Sequence, residues 1–599
     1  MCGFVVLIQP RKKFSENLLS NIEKSIFHRG PDSGGIYSEK GIALIFRRLS
    51  ILDLRKIANQ PMENKKANVF VVFNGEIYNY KNLKKSLEKK GYNFKTESDT
   101  EVILNGYLEW GNKISEKLDG MFAFAIFDKN KKKIFVSRDH MGIKPLYFFS
   151  NGEFIYFGSE IRPLKFFNKL TPDKKNLSEI IFFRYAGGKS TGYKNVYKVL
   201  PGFNYHVDVD NLYVKKERYF DVRQTFKNQR ISNYQSNIEK LLFRSIDKHT
   251  QSDVGFSVQL SGGLDSSIVL AFLHKKYDKK INTYSINIDD IDFNEIQYRK
   301  VVNQLYPSEH TEVFCDSSTF ADSLEPTIKS LEAPTTHFGC VLLYELCRII
   351  SKKNKVVLTG EGSDEIFGGY SRYIEIERIL FLKALSEKLP KFMISKIKKL
   401  NFLENYKNKN PFTELITFRS FDILKEVFFE LPNSNEFIHN TFKNFENPRN
   451  KIALYDQTIY LESLLIRQDK ISMAHGLESR VPFVNTSLIK YVNSLSTKDR
   501  YDKKITKKIL KQISENFFPR EFIYRKKNGL NLPLSKWLLD EKGFGRFLGL
   551  FEESNFKLLE YTEKKKISKL VNNFRKKKQI QLGKVISQLI NLELWLRSF

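Results

Sequence analysis

Residues 260–267 read LSGGLDSS, and the reading of these eight residues decides the fold of the larger part of the chain. An apolar run, VGFSVQL (254–260), leads into them, and a run with helical periodicity, SSIVLAFLHKK (266–276), leads out. The stretch is therefore a tight turn from a strand into a helix. Its two glycines let the backbone approach an anion closely, serine hydroxyls add donors, and the helix N-terminus adds a favourable dipole. Such a turn cradles phosphate. Asp265 within it would repel that phosphate unless a cation lay between them, which implies Mg²⁺. It is not a Walker A loop. The nearest approach to one, AGGKST at 186–191, would put that motif's first glycine on Phe183.

Downstream of the turn the rhythm continues. INTYSIN (281–287), HTEVFC (310–315) and KVVLTG (355–360) read as strands, NEIQYRKVVNQLY (294–306) and CVLLYELCRIISKK (340–353) as helices. That alternation predicts right-handed crossovers and an α/β doubly wound parallel sheet, with a mostly helical region beyond Gly369. Ligands of such sheets lie past the carboxyl ends of the strands, so the loops after TYSIN and VVLTG should border the cradle. LTGEGSDEIFGGY (358–370) brings Glu361, Asp364 and Glu365 there among four glycines, candidates for a second magnesium carboxylate and a general base.

Upstream, residues 2–205 read as short strands with turn punctuation and two amphipathic helices, near Asn17–Phe27 and Tyr80–Lys90, an α+β layered-sheet domain. Residues 206–235 are polar and rich in turn residues, a linker with a strand or two of its own, leaving 236–599 as the second domain. At 599 residues the chain needs more than one core. Four cysteines without CxxC pairs suit a reducing cytoplasm, and no apolar run is long enough to span a membrane. The net charge of +31 is scattered in short lysine groups, which argues for a solvated basic surface and against a nucleic-acid face.

Cys2 is the remaining question. With Met1 removed, its α-amino group could serve as base for its own thiol, since the two share one residue and the amine has a pKa near 8. An acyl-transfer site also needs oxyanion donors and groups that grip its substrate. NGEIYNY supplies Asn74 and Gly75 at a strand end, a carboxamide NH₂ beside a glycine N–H. RRLSI supplies Arg48 for a carboxylate, and ESDTE supplies Asp99 for an ammonium.

SGGLDSS resembles the pyrophosphate loop of the ATP-pyrophosphatases, whose members cleave ATP between the α and β phosphates. MCG, HRGPDSGG, RRLSILDL, NQPM, NGEIYNY, SDTE, LDGMFAFAIFD, RDHMGIKPLYF and FGSEIRPL, followed by LSGGLDSS, LTGEGSDEIFGGY and ESRVPF, occur in one family's order. Over nearly its whole length the chain resembles the glutamine-hydrolysing asparagine synthetases, class II glutamine amidotransferases. The resemblance implies an N-terminal αββα sandwich of the N-terminal-nucleophile type and two sites joined by an internal ammonia tunnel. It implies glutamine binding at Arg48, Asn74, Gly75, Glu76 and Asp99. It also implies ATP binding at or near the whole loop Leu260, Ser261, Gly262, Gly263, Asp265, Ser266 and Ser267, with Ile286, Thr359 and Gly360. Lys507 and Lys527 would lie near phosphates, Asp265 and Asp364 would hold magnesium, and Glu361 would be the acid/base for ammonia. Family members are often homodimers.

Three residues depart from the family pattern: Phe46 in place of a histidine, Gln259 in place of an apolar residue, and Asn485 where RVPF commonly continues to an aspartate. LIRQDKISMAHGLESRVPF also resembles a branch that amidates other carboxylates, so a sugar uronic acid competes with aspartate as acceptor. A tRNA-modifying ATP-pyrophosphatase is the reading from another class, and the N-terminal glutaminase argues against it.

Overall fold

A computed structural model of the chain describes residues 2–598 apart from 279, 291–294, 336, 390–409, 417–420, 430–444, 527–531 and 555. β1 (Cys2–Ile8), CGFVVLI, has no polar alternation and is buried along its whole length. A strand of that composition must be covered on both faces. Phe4, Val6 and Ile8 pack into one core and Val5 and Leu7 into another, as the two-residue side-chain period requires. β1 belongs to a six-stranded antiparallel sheet in the order β10 (Val196–Lys198), β8 (Tyr147–Ser150), β9 (Ile155–Gly158), β1, β3 (Ile42–Arg48), β2 (Ser33–Glu39). A second antiparallel sheet runs β12 (Val214–Arg218), β11 (Phe203–Asp208), β7 (Lys133–Arg138), β6 (Gly120–Asp128), β5 (Val69–Ile77), β4 (Met62–Asn64).

Phe4, Val6, Leu44 and Phe46 of the first sheet meet Phe70, Val72, Ala123 and Phe127 of the second. Helix Glu16–Ser25 packs its Leu19 and Ile22 outside the first sheet, and helices Tyr80–Glu88 and Asp99–Trp110 cover the second. The result is an αββα sandwich. Phe46, the first departure, is fully buried in its central core, where a histidine would need a hydrogen-bond partner. Of the stretch 206–235, the structure places the end of β11 and all of β12 in the second sheet, so residues up to Arg218 are sheet edge and the connection is shorter than the sequence suggested.

The second half is built on a five-stranded parallel sheet in the order β15 (Glu309–Cys315), β14 (Asn282–Ile288), β13 (Ser257–Gln259), β16 (Val356–Leu358), β17 (Glu478–Arg480). β17, from the C-terminal helical region, closes the edge toward the first half. Just before it runs helix Leu461–Met473, which we call the seam helix. From it Glu462 pairs with Arg138 (2.8 Å) and Lys198 (3.3 Å), Asp469 with Arg29 (2.7 Å) and Lys144 (3.3 Å), and Lys470 with Glu332. These groups are buried, and the pairing offsets the cost of taking them from water. Among the described residues no helix is long and apolar enough to cross a membrane.

Candidate active sites

Antiparallel pairing sets Cys2 opposite Arg48, on adjacent strands of the first sheet. The backbone N–H of Cys2 donates to Asn74 Oδ1 at 3.2 Å, and Asn74, fully buried near the end of β5, leaves its Nδ2 without a hydrogen-bond acceptor among the described residues. A buried donor left open costs free energy unless a ligand fills it. Gly75 follows. A Cβ there would lie 2.1 Å from the Met121 carbonyl oxygen, so only glycine lets β5 and β6 close at this point. Burial pushes the Cys2 thiol up, against the opposing pull of the Leu49 backbone N–H and Arg48. The resting sulfur is therefore a thiol that needs a base.

Arg48 does not extend an open fork. Its terminal nitrogens bond the carbonyls of Leu52 (3.1 Å), Asp53 (2.6 Å) and Arg55 (3.2 Å) and the side chain of Asn59 (2.7 Å). These bonds hold the guanidinium beside the 52–59 loop, next to the strand of Cys2. Asp99 is buried, accepts from the Ile77 N–H at 2.9 Å, and has its carboxyl pushed up to about 6 by burial. Glu76 points to a partner that no local motif announces: Arg480 of β17, 3.1 Å away, which also pairs with Glu478 at 2.5 Å. Arg29, likewise unforeseen, donates from Nε to the Cys2 carbonyl at 3.1 Å and reaches Asp469 of the seam helix.

The second site is a cavity of about 670 Å³ past the carboxyl ends of β13, β14 and β16. Leu260, Ser261, Gly263, Asp265, Ser266, Ile286, Thr359, Gly360, Glu361, Asp364 and Lys507 all line it. Two loop members do not: the Gly262 carbonyl holds Arg525 at 2.8 Å, and the Ser267 hydroxyl bonds back to the Gly263 carbonyl at 2.8 Å. Helix Leu264–Lys276 has no side-chain cap, so its first backbone N–H groups are free to meet phosphate. The two loops touch at Gly360, where a Cβ would sit 2.8 Å from Asp265 Cβ and the Ser266 nitrogen.

The Lys507 ammonium lies between the two expected metal carboxylates, 2.5 Å from Asp265 and 2.8 Å from Asp364. A cation fits there. Two carboxylates with room for phosphate oxygens suit Mg²⁺, which keeps few protein ligands. No group of three ligating side chains occurs among the described residues. Glu365 is not a third ligand: it is buried against the Tyr370 hydroxyl, and burial with Asp364 and Glu361 nearby pushes it up to about 8. Glu361 pairs with Arg467 of the seam helix at 3.0 Å. Lys527 lies outside the described residues; Arg525, stacked over Tyr298, and Arg299, which donates to the Ser261 carbonyl at 3.2 Å, join Lys507 as basic groups at the loop. Asn485 is absent from the cavity. Its Oδ1 caps helix Thr486–Ser494 and its Nδ2 donates to Asp119 at 3.1 Å, which ties the departure to the junction with the first half.

A family described as glutamine amidotransferase domain matches residues 1–220, and one described as asparagine synthase matches 237–597. The chain belongs to the asparagine synthase family. Within that family it is 29% identical to asparagine synthetase [glutamine-hydrolyzing] 1 of Bacillus subtilis, over 90% of this chain and 88% of that one. It is 28% identical to asparagine synthetase B [glutamine-hydrolyzing] of Escherichia coli, over 87% and 79%. As an asparagine synthase family member with a glutamine amidotransferase domain, it is an ATP-dependent ligase supplied with nitrogen by glutamine.

Proposed function

We propose that the chain makes asparagine from aspartate, with ammonia released from glutamine at Cys2. Once Met1 is removed, the α-amine of Cys2 takes the thiol proton and sulfur attacks the glutamine side-chain amide carbon. Asn74 Nδ2 and the Gly75 N–H stabilise the oxyanion. The amine returns its proton to nitrogen, the C–N bond breaks, and ammonia leaves a thioester that water hydrolyses to glutamate. Asp99 and Glu76 receive the glutamine ammonium, and Arg48 takes its carboxylate.

At the second site ATP lies on LSGGLDSS, with Thr359, Gly360 and Ile286 around it. Its phosphates meet the N-terminus of helix Leu264–Lys276, Lys507 and Lys527. Asp265 and Asp364 would hold Mg²⁺, which supplies charge neutralisation of the leaving pyrophosphate. A carboxylate oxygen of the acceptor attacks the α phosphorus, pyrophosphate departs, and an acyl-adenylate forms. The ammonia lone pair attacks the acyl carbon, the bond to AMP breaks, and Glu361 accepts the displaced proton.

One observation carries this reading: the two sites share a buried wall. The seam helix and β17 hold Asp469 and Arg480 toward Cys2 and Glu76, and Arg467 toward Glu361. Replacing Cys2 with alanine is expected to abolish glutamine hydrolysis while leaving ammonia-driven amide synthesis intact; surviving glutaminase activity would discard Cys2 as nucleophile. Pyrophosphate release, measured with Mg-ATP, ammonia and a panel of carboxylates, is expected with aspartate. Release with a uronic acid alone would transfer the reading to that acceptor.

A further inference from the structure

β17 separates the two sites by its alternation. Glu478 and Arg480 face the glutamine end, where Arg480 meets Glu76, and Ser479 between them faces the other way. There the Ser479 hydroxyl accepts from Gln468 Nε2 at 2.9 Å, and the same Nε2 approaches Gln259 Oε1 at 3.4 Å. Gln468 and Gln259 both line the nucleotide cavity. The next residue on the seam helix, Asp469, is joined through Arg29 to the carbonyl of Cys2. Gln468 therefore stands one residue from the glutaminase contact and on the wall of the synthetase cavity. Its amide is oriented by both Nε2 bonds, and its Oε1 accepts none among the described residues.

We propose that Gln468 Oε1, oriented by Ser479 and Gln259, is the receiving site for ammonia where it enters the synthetase cavity. The inference rests on the proposed two-site reaction. Neutral ammonia offers three N–H donors and one lone pair. A carbonyl acceptor takes one N–H and leaves the lone pair free to attack. It is also too weak a base to trap the molecule as ammonium, as a carboxylate would. This gives Gln259, the polar departure before LSGG, a role: it orients the amide of Gln468. Glu361, paired with the neighbouring Arg467 on the same cavity, is placed to take the proton after attack.

The test is steady-state kinetics of Gln468→Leu, close in volume and without the acceptor. The KM for ammonia is expected to rise about tenfold, the scale of one hydrogen bond. The amide made per glutamine hydrolysed should fall, while glutaminase kcat/KM and the KM values for ATP and the carboxylate stay at wild type. Ser479→Ala keeps Oε1 but loosens its mount, and should raise the ammonia KM about threefold, which keeps the test open if Gln468→Leu does not fold. An unchanged ammonia KM overturns the inference. So does a rise confined to the carboxylate KM, which would mark Gln468 as a contact for the acceptor's own N–H or O–H. A wild-type enzyme releasing pyrophosphate with no carboxylate would instead remove the synthetase reading, and this inference with it.

Discussion

Asn74 divides one carboxamide: its oxygen holds the nitrogen of Cys2, and its buried NH₂, without an acceptor among the described residues, is the group proposed for the oxyanion. Asp99, nearby, gives the site a pH limit. Its folded carboxyl, at about 6, holds its proton more tightly than an unfolded one near 4, so its contribution to stability is present below about pH 4 and lost as pH rises to about 6. Glutamine binding needs the opposite form, the carboxylate that meets the ammonium. The kcat/KM for glutamine is therefore expected to decline below about pH 6, and a profile flat from pH 7 to 5 would remove Asp99 from the binding role. Cys2, Asn74, Asp99 and the SGGLDSS loop were readable as candidates because each carries its proposed chemistry within a short motif. Arg29, Arg467 and Arg480 were not, although all three sit in quoted stretches. Their partners lie from about a hundred to more than four hundred residues away, and no local spacing encodes such a pair.

Among the elements, strands that alternate or run wholly apolar were read from sequence, while helix Asp99–Trp110 was missed. Residues 99–107 are buried all round, so the helix shows no apolar stripe for periodicity to detect. The place of Asn485 was not readable from sequence for a related reason: a cap and a ligand use the same residue types. Asn485→Asp should cap its helix as well as asparagine does, yet it sets a second carboxylate against Asp119 in place of a 3.1 Å hydrogen bond. Denaturant unfolding is expected to show a loss of about 1–2 kcal/mol with amide synthesis unchanged. A matching fall in the carboxylate kcat/KM would return Asn485 to the acceptor site.

At the scale of the molecule, the parallel sheet and the layered sandwich were both in the sequence, and the way they meet was not. The junction is a row of buried ion pairs along the seam helix, and charged residues in a sequence read as surface until their partners are known. Glu462→Ala would strand Arg138 and Lys198 in the interior and is expected to cost about 3–5 kcal/mol in denaturant unfolding. Glutaminase activity, which does not use Glu462, should persist under native conditions. A cost below about 1 kcal/mol would mean that these charges are hydrated and the junction is open.

Lys507 has one more consequence. Its ammonium is tethered between Asp265 and Asp364, so it acts toward any incoming divalent ion as an intramolecular competitor with a high effective concentration. Magnesium alone must evict it with nothing in exchange, whereas magnesium carried on a nucleotide brings phosphates that give the displaced ammonium a new counter-ion. A metal held there would be favoured as the metal–nucleotide pair over either component, and in the absence of nucleotide the ammonium already balances one of the two aspartate charges.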